Sequence, residues 1–147
     1  DRGINRNYIK WICAKASAVI AVSSAARDRL VAAGADVGRM SVIHNGVDII
    51  GSYKEKRDEL RREWGIPQGA KVVGIVGTVA EMKGHHILLA AAEILSAKMP
   101  ELYIVIVGGP QDDSLDYMER IRAQADSPAL KGRVVFAGRR PDARQCM

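Results

Sequence analysis

Five short apolar runs, separated by segments with helical spacing, restrict the fold of this chain more than any other feature. The runs are rich in Val and Ile and do not alternate with polar residues, which is typical of strands buried on both faces of a sheet. They cover residues 17–22, 40–43, 71–76, 102–107 and 133–136. Because strands and helices alternate, the sequence predicts an α/β fold of parallel strands with right-handed crossovers.

Helical patterns fill the intervals between these runs. Ser23 or Ser24 is placed to cap a helix that Gly34 ends. In residues 85–98, one set of apolar side chains has the i, i+3, i+4, i+7 spacing and is therefore predicted to be the buried face. The set is Ile87, Leu88, Ala91, Ile94 and Leu95, and a weaker repeat follows at Leu115, Met118, Ile121 and Ala125.

Residues 45–69 differ from the rest in composition. They open with the turn pair Asn45-Gly46 and continue into a highly charged helical segment, in which Lys54–Asp58 and Asp58–Arg62 have ion-pair spacing. An exposed, charged segment between two groups of strands indicates an interdomain connector. We therefore expect strands 17–22 and 40–43 to belong to one domain and the later strands to another.

Composition excludes several classes of protein. The 147 residues include 22 basic and 17 acidic side chains, a net charge of +5, and the basic residues are scattered without interleaved aromatics, so nucleic acid is not expected as a partner. The charge does leave open a peripheral contact with an anionic membrane surface. No apolar run approaches the ~20 residues that span a bilayer.

The two cysteines, Cys13 and Cys146, do not have metal-site spacing, and we expect a cytoplasmic setting. The chain begins without Met and stops soon after a strand, so we expect an internal piece of a longer protein.

Glycines mark the ends of three consecutive runs, at Gly77, Gly108-Gly109 and Gly138. Ligands of open parallel sheets bind outside the carboxyl ends of the strands. Lys83 and Gly84 directly precede the next helix, whose N-terminus favours a phosphate. The alternative, a plain turn with a solvated lysine, stays open on these residues. GxxxxGK[ST] is absent and no GxGxxG follows a strand, which argues against a P-loop ATPase and a dinucleotide-dependent dehydrogenase.

Five segments in register resemble the family 4, group 1 type glycosyltransferases. They are residues 17–34, 42–48, 72–95, 102–110 and 133–143, which cover nearly the whole chain. The resemblance implies the GT-B fold, in which two domains with Rossmann-like parallel sheets face each other. It places residues 1–44 at the end of the acceptor-side domain, 45–69 in the interdomain linker and 70–147 in the first half of the nucleotide-sugar donor-binding domain.

The resemblance also implies donor-binding residues. Gly77, Lys83 and Gly84 match the family motif that holds the donor diphosphate, in which an arginine normally stands at the position of Thr78. Threonine lacks the permanent charge and the bidentate geometry of arginine, so donor binding would be weaker unless another arginine substitutes.

The segment GRRPDA corresponds to the family loop near the nucleotide base. Arg140 would contribute mainly main-chain contacts there, and Asp142 could accept hydrogen bonds from the base. The alternative is a strand-to-helix turn in which Asp142 caps a helix that is missing from this chain. His85, at a helix start, could lie near a phosphate. No paired carboxylates indicate a metal site, so neither a metal nor a cofactor is expected.

The function implied is that of a retaining, hexosyltransferase-type enzyme that transfers a sugar from a nucleotide-diphospho-sugar to an acceptor. The acceptor could be a lipid, polysaccharide, protein or small molecule. The family's E-x7-E motif is not found in residues 1–147, so no catalytic residue is assigned, and we expect the isolated chain to be inactive. Alternatives are a GT-B nucleotide-sugar epimerase or phosphorylase, and a non-catalytic Rossmann-like binding module such as a receiver domain.

Overall fold

The computed structural model describes residues 6–46, 54–111 and 114–147. The chain divides into two compact units, Asp1–Ile50 and Gly51–Met147. Part of the predicted connector, residues 47–53, and two residues of the QDDS segment, 112–113, lie outside the described residues.

The first unit is a small parallel α/β arrangement. Its helices and strands are α1 (Arg6–Lys15), β1 (Val19–Ala21), α2 (Ser24–Ala32) and β2 (Met40–Val42), with a short 3-10 turn at Val37–Arg39. β1 and β2 pair in parallel. The Ser23 hydroxyl accepts a hydrogen bond from the Ala26 N–H at 3.1 Å, so Ser23 is the cap that the sequence predicts. Gly34 has a φ of +94°, a left-handed conformation that favours glycine and ends α2.

The second unit is a three-stranded parallel sheet with helices on both faces. Its elements are α3 (Lys54–Glu63), β3 (Lys71–Val76), α4 (His85–Ser96), β4 (Leu102–Val107), α5 (Leu115–Ala125) and β5 (Val134–Gly138), with 3-10 turns at Glu81–Lys83 and Ala143–Cys146. The strand order is β3-β4-β5 and all pairings are parallel. The predicted α/β class with parallel sheets is confirmed.

β4 lies in the middle of this sheet and is covered on both faces. Ile104 and Ile106 point to one side and pack with α4 and α5. Val105 and Val107 point to the other side and pack with the segment that follows α3. All four side chains are at most 3% exposed. This two-sided burial explains why the β4 sequence is a continuous apolar run rather than an alternating one.

The buried face of α4 differs from the prediction. Ile87 and Ile94 are 64% and 73% exposed, and the buried residues are His85, Leu89 and Ala92. Apolar residues occur on more than one side of this helix, so periodicity alone does not select the buried side. The buried face also begins with a histidine, and a search for apolar residues alone does not include histidine.

The charged helix α3 packs within the second unit. Leu60 on α3 is 3% exposed, and Arg61 donates to the carbonyl of Ala70 at 3.1 Å through both terminal nitrogens. The predicted Asp58–Arg62 ion pair is wrong: the Asp58 carboxylate binds Arg57, and Arg62 donates to the Asp58 carbonyl instead. Within the described ranges, no helix combines the length and apolar character needed to cross a bilayer.

Candidate functional site

The carboxyl ends of β3, β4 and β5 form one continuous rim of main chain. Gly77 donates to the Val107 carbonyl at 2.9 Å, and Gly108 donates to the Gly138 carbonyl at 2.7 Å. Gly108 has a φ of +143°, and a Cβ built there would lie 1.8 Å from the Gly77 carbonyl oxygen. A side chain at Gly108 would therefore collide with main chain, so glycine is required for this close approach.

The segment 77–84 leads from this rim to α4. Thr78 is half-buried, and Val79 is fully buried and forms a parallel bridge with Pro110. A 3-10 turn follows at Glu81–Lys83, and Gly84 ends it with a φ of +73° and begins α4. Lys83 therefore belongs to the short turn and not to the helix.

Lys83 is exposed, and no carboxylate of the described ranges forms an ion pair with it. The nearby acidic residue of the same turn, Glu81, lies 3.6 Å from Arg120 instead. The ammonium of Lys83 is therefore available to an anion at this end of the sheet.

Part of the N-terminus of α4 is capped by the protein itself. The His86 N–H donates to the Tyr117 hydroxyl at 3.2 Å, and the same hydroxyl lies 2.8 Å from His86 Nδ1. Ile87 and Leu88 donate to the Gly84 carbonyl. Tyr117 of α5 thus already accepts a hydrogen bond from one main-chain amide at the start of α4. Fewer amides than expected are left there for a phosphate. Sequence reasoning missed Tyr117, since no local pattern links residue 117 to residue 86.

His85 points into the core rather than toward the rim. Its side chain is fully buried, and neither ring nitrogen has a hydrogen-bond partner within the described part of the chain. Burial lowers the pKa of His85, and the charge of neighbouring His86 lowers it further. The main chain of Ala80 acts in the opposite direction and raises the pKa. The ring packs edge-on to Tyr117 at 6.2 Å. His85 is therefore a neutral core residue, and the idea that it contacts a phosphate is not supported by its position.

Arg140 and Asp142 lie together on the turn after β5, and they bind each other. Arg140 Nε and Nη2 donate to the two carboxylate oxygens of Asp142 at 2.8 and 3.0 Å. The guanidinium also contacts Glu63 of α3 and stacks over Trp64, with 5.6 Å from Cζ to the ring centroid. Lys56 lies 3.7 Å from Asp142.

This network sets the protonation of its members. The Arg140 hydrogen bonds lower the pKa of Asp142 to about 2, and the Asp142 and Glu63 carboxylates raise the pKa of Arg140. Asp142 precedes the 3-10 turn Ala143–Cys146, and its side chain makes no capping hydrogen bond to that turn. Its role as the cap of a further helix stays a prediction. The side-chain donors of Arg140 are occupied, which leaves its main chain for a ligand.

Arg139 takes a different course from its neighbour. Its side chain runs over Gly109, where a built Cβ would lie 3.0 Å from Arg139 Cγ and Nε, and Nη2 donates to the Pro110 carbonyl. The residue is exposed. Sequence reasoning selected Arg140 from GRRPDA and missed Arg139.

No group of three or more His, Cys, Asp or Glu side chains within residues 6–46, 54–111 and 114–147 could hold a metal ion. The expectation that no metal is needed stays a prediction.

Two family models match the chain. The model described as "Glycosyl transferases group 1" matches residues 56–147, and the model described as "Glycosyltransferase Family 4" matches residues 1–49. The two matches therefore meet near the boundary between the compact units, at Ile50.

Curated relatives carry related names. The chain is 35% identical over 102 residues to a D-inositol 3-phosphate glycosyltransferase of Mycolicibacterium smegmatis, a match covering 69% of this chain and 23% of the relative. The enzyme of the same name from Mycobacterium tuberculosis is 31% identical over 118 residues, with 80% and 24% covered. The chain thus spans about a quarter of the length of these relatives.

Solved structures share the fold. HepE of Anabaena, in complex with UDP and glucose, superposes with a TM-score of 0.85 at 28% identity, covering 97% of this chain and 39% of that one. A glycosyltransferase from Rickettsia africae, at 20% identity, gives 0.74 over 96% of this chain and 38% of its own, which shows the fold alone. With the family model matching residues 56–147 and this likeness to GT-B enzymes, the chain belongs to the group 1 glycosyl transferases.

Proposed function

We propose that this chain forms part of the donor site of a retaining glycosyltransferase, which transfers a hexose from a nucleotide-diphospho-sugar to an acceptor. Lys83 carries the proposal: it is an exposed cation with no ion-pair partner in the described ranges, beside three glycine strand ends at the carboxyl edge of a parallel sheet. Gly77, Thr78 and Gly84 belong to the same segment between β3 and α4. HepE is described with UDP and with UDP-glucose, which makes a uridine diphosphate sugar the donor to test first.

The proposed chemistry follows from where charge develops. Cleavage of the sugar–phosphate bond leaves growing negative charge on the departing diphosphate. Lys83 would stabilise that charge more strongly in the transition state than in the ground state, as an oxyanion hole does. At Gly77 a Cβ would meet no other atom within 4 Å, so the main chain there has open space beside it for phosphate oxygens. The main chain of the turn that contains Arg140 and Asp142 would contact the nucleotide base.

We further propose that residues 1–44 end an acceptor-side domain, that 45–69 connect the domains and that 70–147 begin the donor domain. The division into units near residue 50 supports this arrangement. α3, which lies inside the proposed connector 45–69, packs as part of the second unit. The acceptor, and a peripheral contact with anionic membranes, stay open to experiment.

Lys83→Ala tests the proposal in the full-length protein. We expect it to weaken UDP binding roughly ten- to a hundredfold, because a charge-assisted contact to phosphate is lost. Binding of uridine should change little, since uridine has no phosphate. Residual UDP binding should also depend less on salt. Isothermal titration calorimetry with both ligands provides the measurement.

Lys71→Ala is the matched control. Lys71 begins β3 at the opposite end of the sheet, where it is 62% exposed and pairs with Glu101 at 3.0 Å. Its removal should leave UDP affinity unchanged. Equal, small effects of the two substitutions would overturn the proposal and make residues 77–84 an ordinary turn with a solvated lysine.

A further inference from the structure

We infer that Arg139 supplies the second positive charge of the diphosphate site, an inference that rests on the proposed function. Lys83 alone brings one charge to a ligand that carries more than one, and Thr78 brings none. A second cation on the same rim would complete the site.

The path of the Arg139 side chain places its charge on this rim. It leaves the end of β5, crosses Gly109 at the end of β4 and reaches the Pro110 carbonyl. Pro110 bridges in parallel to Val79, which follows Thr78. The guanidinium therefore lies over the end of the middle strand, at the residue that bridges to Val79 of segment 77–84.

Within residues 6–46, 54–111 and 114–147, no carboxylate forms an ion pair with Arg139, whereas its neighbours are paired. Arg140 is held by Asp142 and Glu63, and Arg120 lies 3.6 Å from Glu81. Among the described residues, Arg139 and Lys83 make no ion pair. An uncompensated guanidinium on a ligand-binding rim attracts phosphate more strongly than one already bound to carboxylates.

The arginine is also held in place before any ligand arrives. The Pro110 carbonyl takes one Nη2 donor and leaves Nη1 and Nε to other acceptors. Gly109 provides the space, because a Cβ at that position would press on Arg139 at 3.0 Å. Holding the side chain in advance reduces the entropy lost on binding. The lack of a side chain at Gly109 thus allows Arg139 to lie across the strand end.

Calorimetric titration of full-length protein with UDP and with uridine tests the inference. Arg139→Gln should weaken UDP binding about tenfold or more and leave uridine binding nearly unchanged. Arg139→Lys keeps the positive charge but loses the planar guanidinium with its paired donors. It should therefore bind UDP more tightly than Arg139→Gln but less tightly than the wild type. Gly109→Ala should weaken UDP binding without altering the charge. Arg133→Gln, at the opposite end of β5, is the matched control and should bind UDP as the wild type does. Thermal melts confirm that each variant is folded.

The outcomes separate the inference from the proposed function. If Lys83→Ala loses UDP and Arg139→Gln does not, the donor site stands and the role of Arg139 is overturned. Equal losses of UDP and uridine in Arg139→Gln would likewise overturn the phosphate role, because they would indicate disturbance of the turn. If neither Lys83→Ala nor Arg139→Gln affects UDP binding, the inference and the proposed function are both overturned. The same holds if the wild type binds no UDP, GDP or ADP. Selective loss of the diphosphate in Arg139→Gln and Gly109→Ala, with Arg133→Gln silent, supports the inference.

Discussion

His85 is a polar side chain enclosed by the core, with no hydrogen bond to its ring nitrogens in the described part of the chain. Such unpaired polar groups cost about 1–3 kcal/mol each when buried. Its ring packs edge-on against Tyr117, with the two ring centroids 6.2 Å apart. A packing role for His85 has two measurable consequences, one in stability and one in pH dependence.

His85→Leu should therefore stabilise the fold by roughly 1 kcal/mol, because it replaces an unpaired polar ring with an apolar side chain. The folded protein has a pKa for His85 below the ordinary 6.5, so the unfolded chain binds the extra proton first as pH falls. Wild-type stability should decline below about pH 6.5, and His85→Leu should remove that part of the decline. Chemical denaturation between pH 7 and 5 measures both effects. The exposed His44 serves as the control, and an equal flattening in His44→Gln would contradict the prediction.

Some side-chain roles follow from local sequence and others do not. Ser23 caps the start of α2 and Gly34 follows its end as expected, because capping depends on the nearest few residues. Thr78 and Lys83 lie where a strand-to-turn pattern places them. Tyr117, in contrast, reaches the start of α4 from a helix about thirty residues later, and only packing of α5 against α4 brings the two together. Contacts of this kind have no local signature.

At the scale of helices and strands, the turn after β5 is tied to α3 by charge. Arg140 contacts carboxylates from both elements, Asp142 and Glu63, and covers Trp64. With side-chain exposures of 17% and 21%, Arg140 and Asp142 are screened less than surface pairs. The network holds the proposed base-binding turn in a fixed position relative to the sheet.

Asp142→Asn should destabilise the second unit, with a distinctive dependence on pH. The folded pKa of Asp142 is about 2, below the ordinary 3.8, so between these values the unfolded chain binds more protons than the folded one. The contribution of the carboxylate is present above about pH 4 and is lost as pH falls toward 2. Wild type and variant should then converge at the acid end of a denaturation series. Asp28→Asn, in an exposed pair with Arg27, should show no such convergence. Parallel curves for wild type and Asp142→Asn would refute the assignment.

Strand bounds were predictable where an apolar run is flanked by glycine or a charge. β3 and β4 occupy residues 71–76 and 102–107 as predicted, whereas β1 is shorter than its apolar run and β5 begins one residue later and ends two residues later than predicted. The buried side of α4 could not be chosen from periodicity, because Leu89 and Ile87 are equally apolar and only the position of the sheet distinguishes them. The Asp58–Arg62 ion pair of α3 was mispredicted because the Asp58 carboxylate binds the adjacent Arg57 instead. The side chain of Lys54 lies outside the described part of the structure, so the Lys54–Asp58 pair stays a prediction.

At the scale of the whole molecule, β3 is poorly covered for a strand with such an apolar sequence. Val72, Val73 and Val76 are 37%, 43% and 36% exposed. In the described residues, β3 pairs with β4 along one edge only. The face of β3 toward α3 borders an open cavity of about 660 Å³, which is lined by Val72, Val76 and Trp64 among others. Apolar strand edges of this kind pair with other chains.

We therefore predict that the isolated 147-residue chain self-associates in solution through β3. Light scattering should show a mass that rises with protein concentration, because an unpaired edge and an exposed apolar face both favour contact between copies. Val72→Lys places a charge on that strand and should shift the chain toward monomer, since a charged side chain must be desolvated when another strand pairs beside it. Val37→Lys, at a position 58% exposed in the first unit, is the matched control and should associate as the wild type does. A monomeric wild type at all concentrations, or equal dispersal by both lysines, would show that β3 is not the surface responsible.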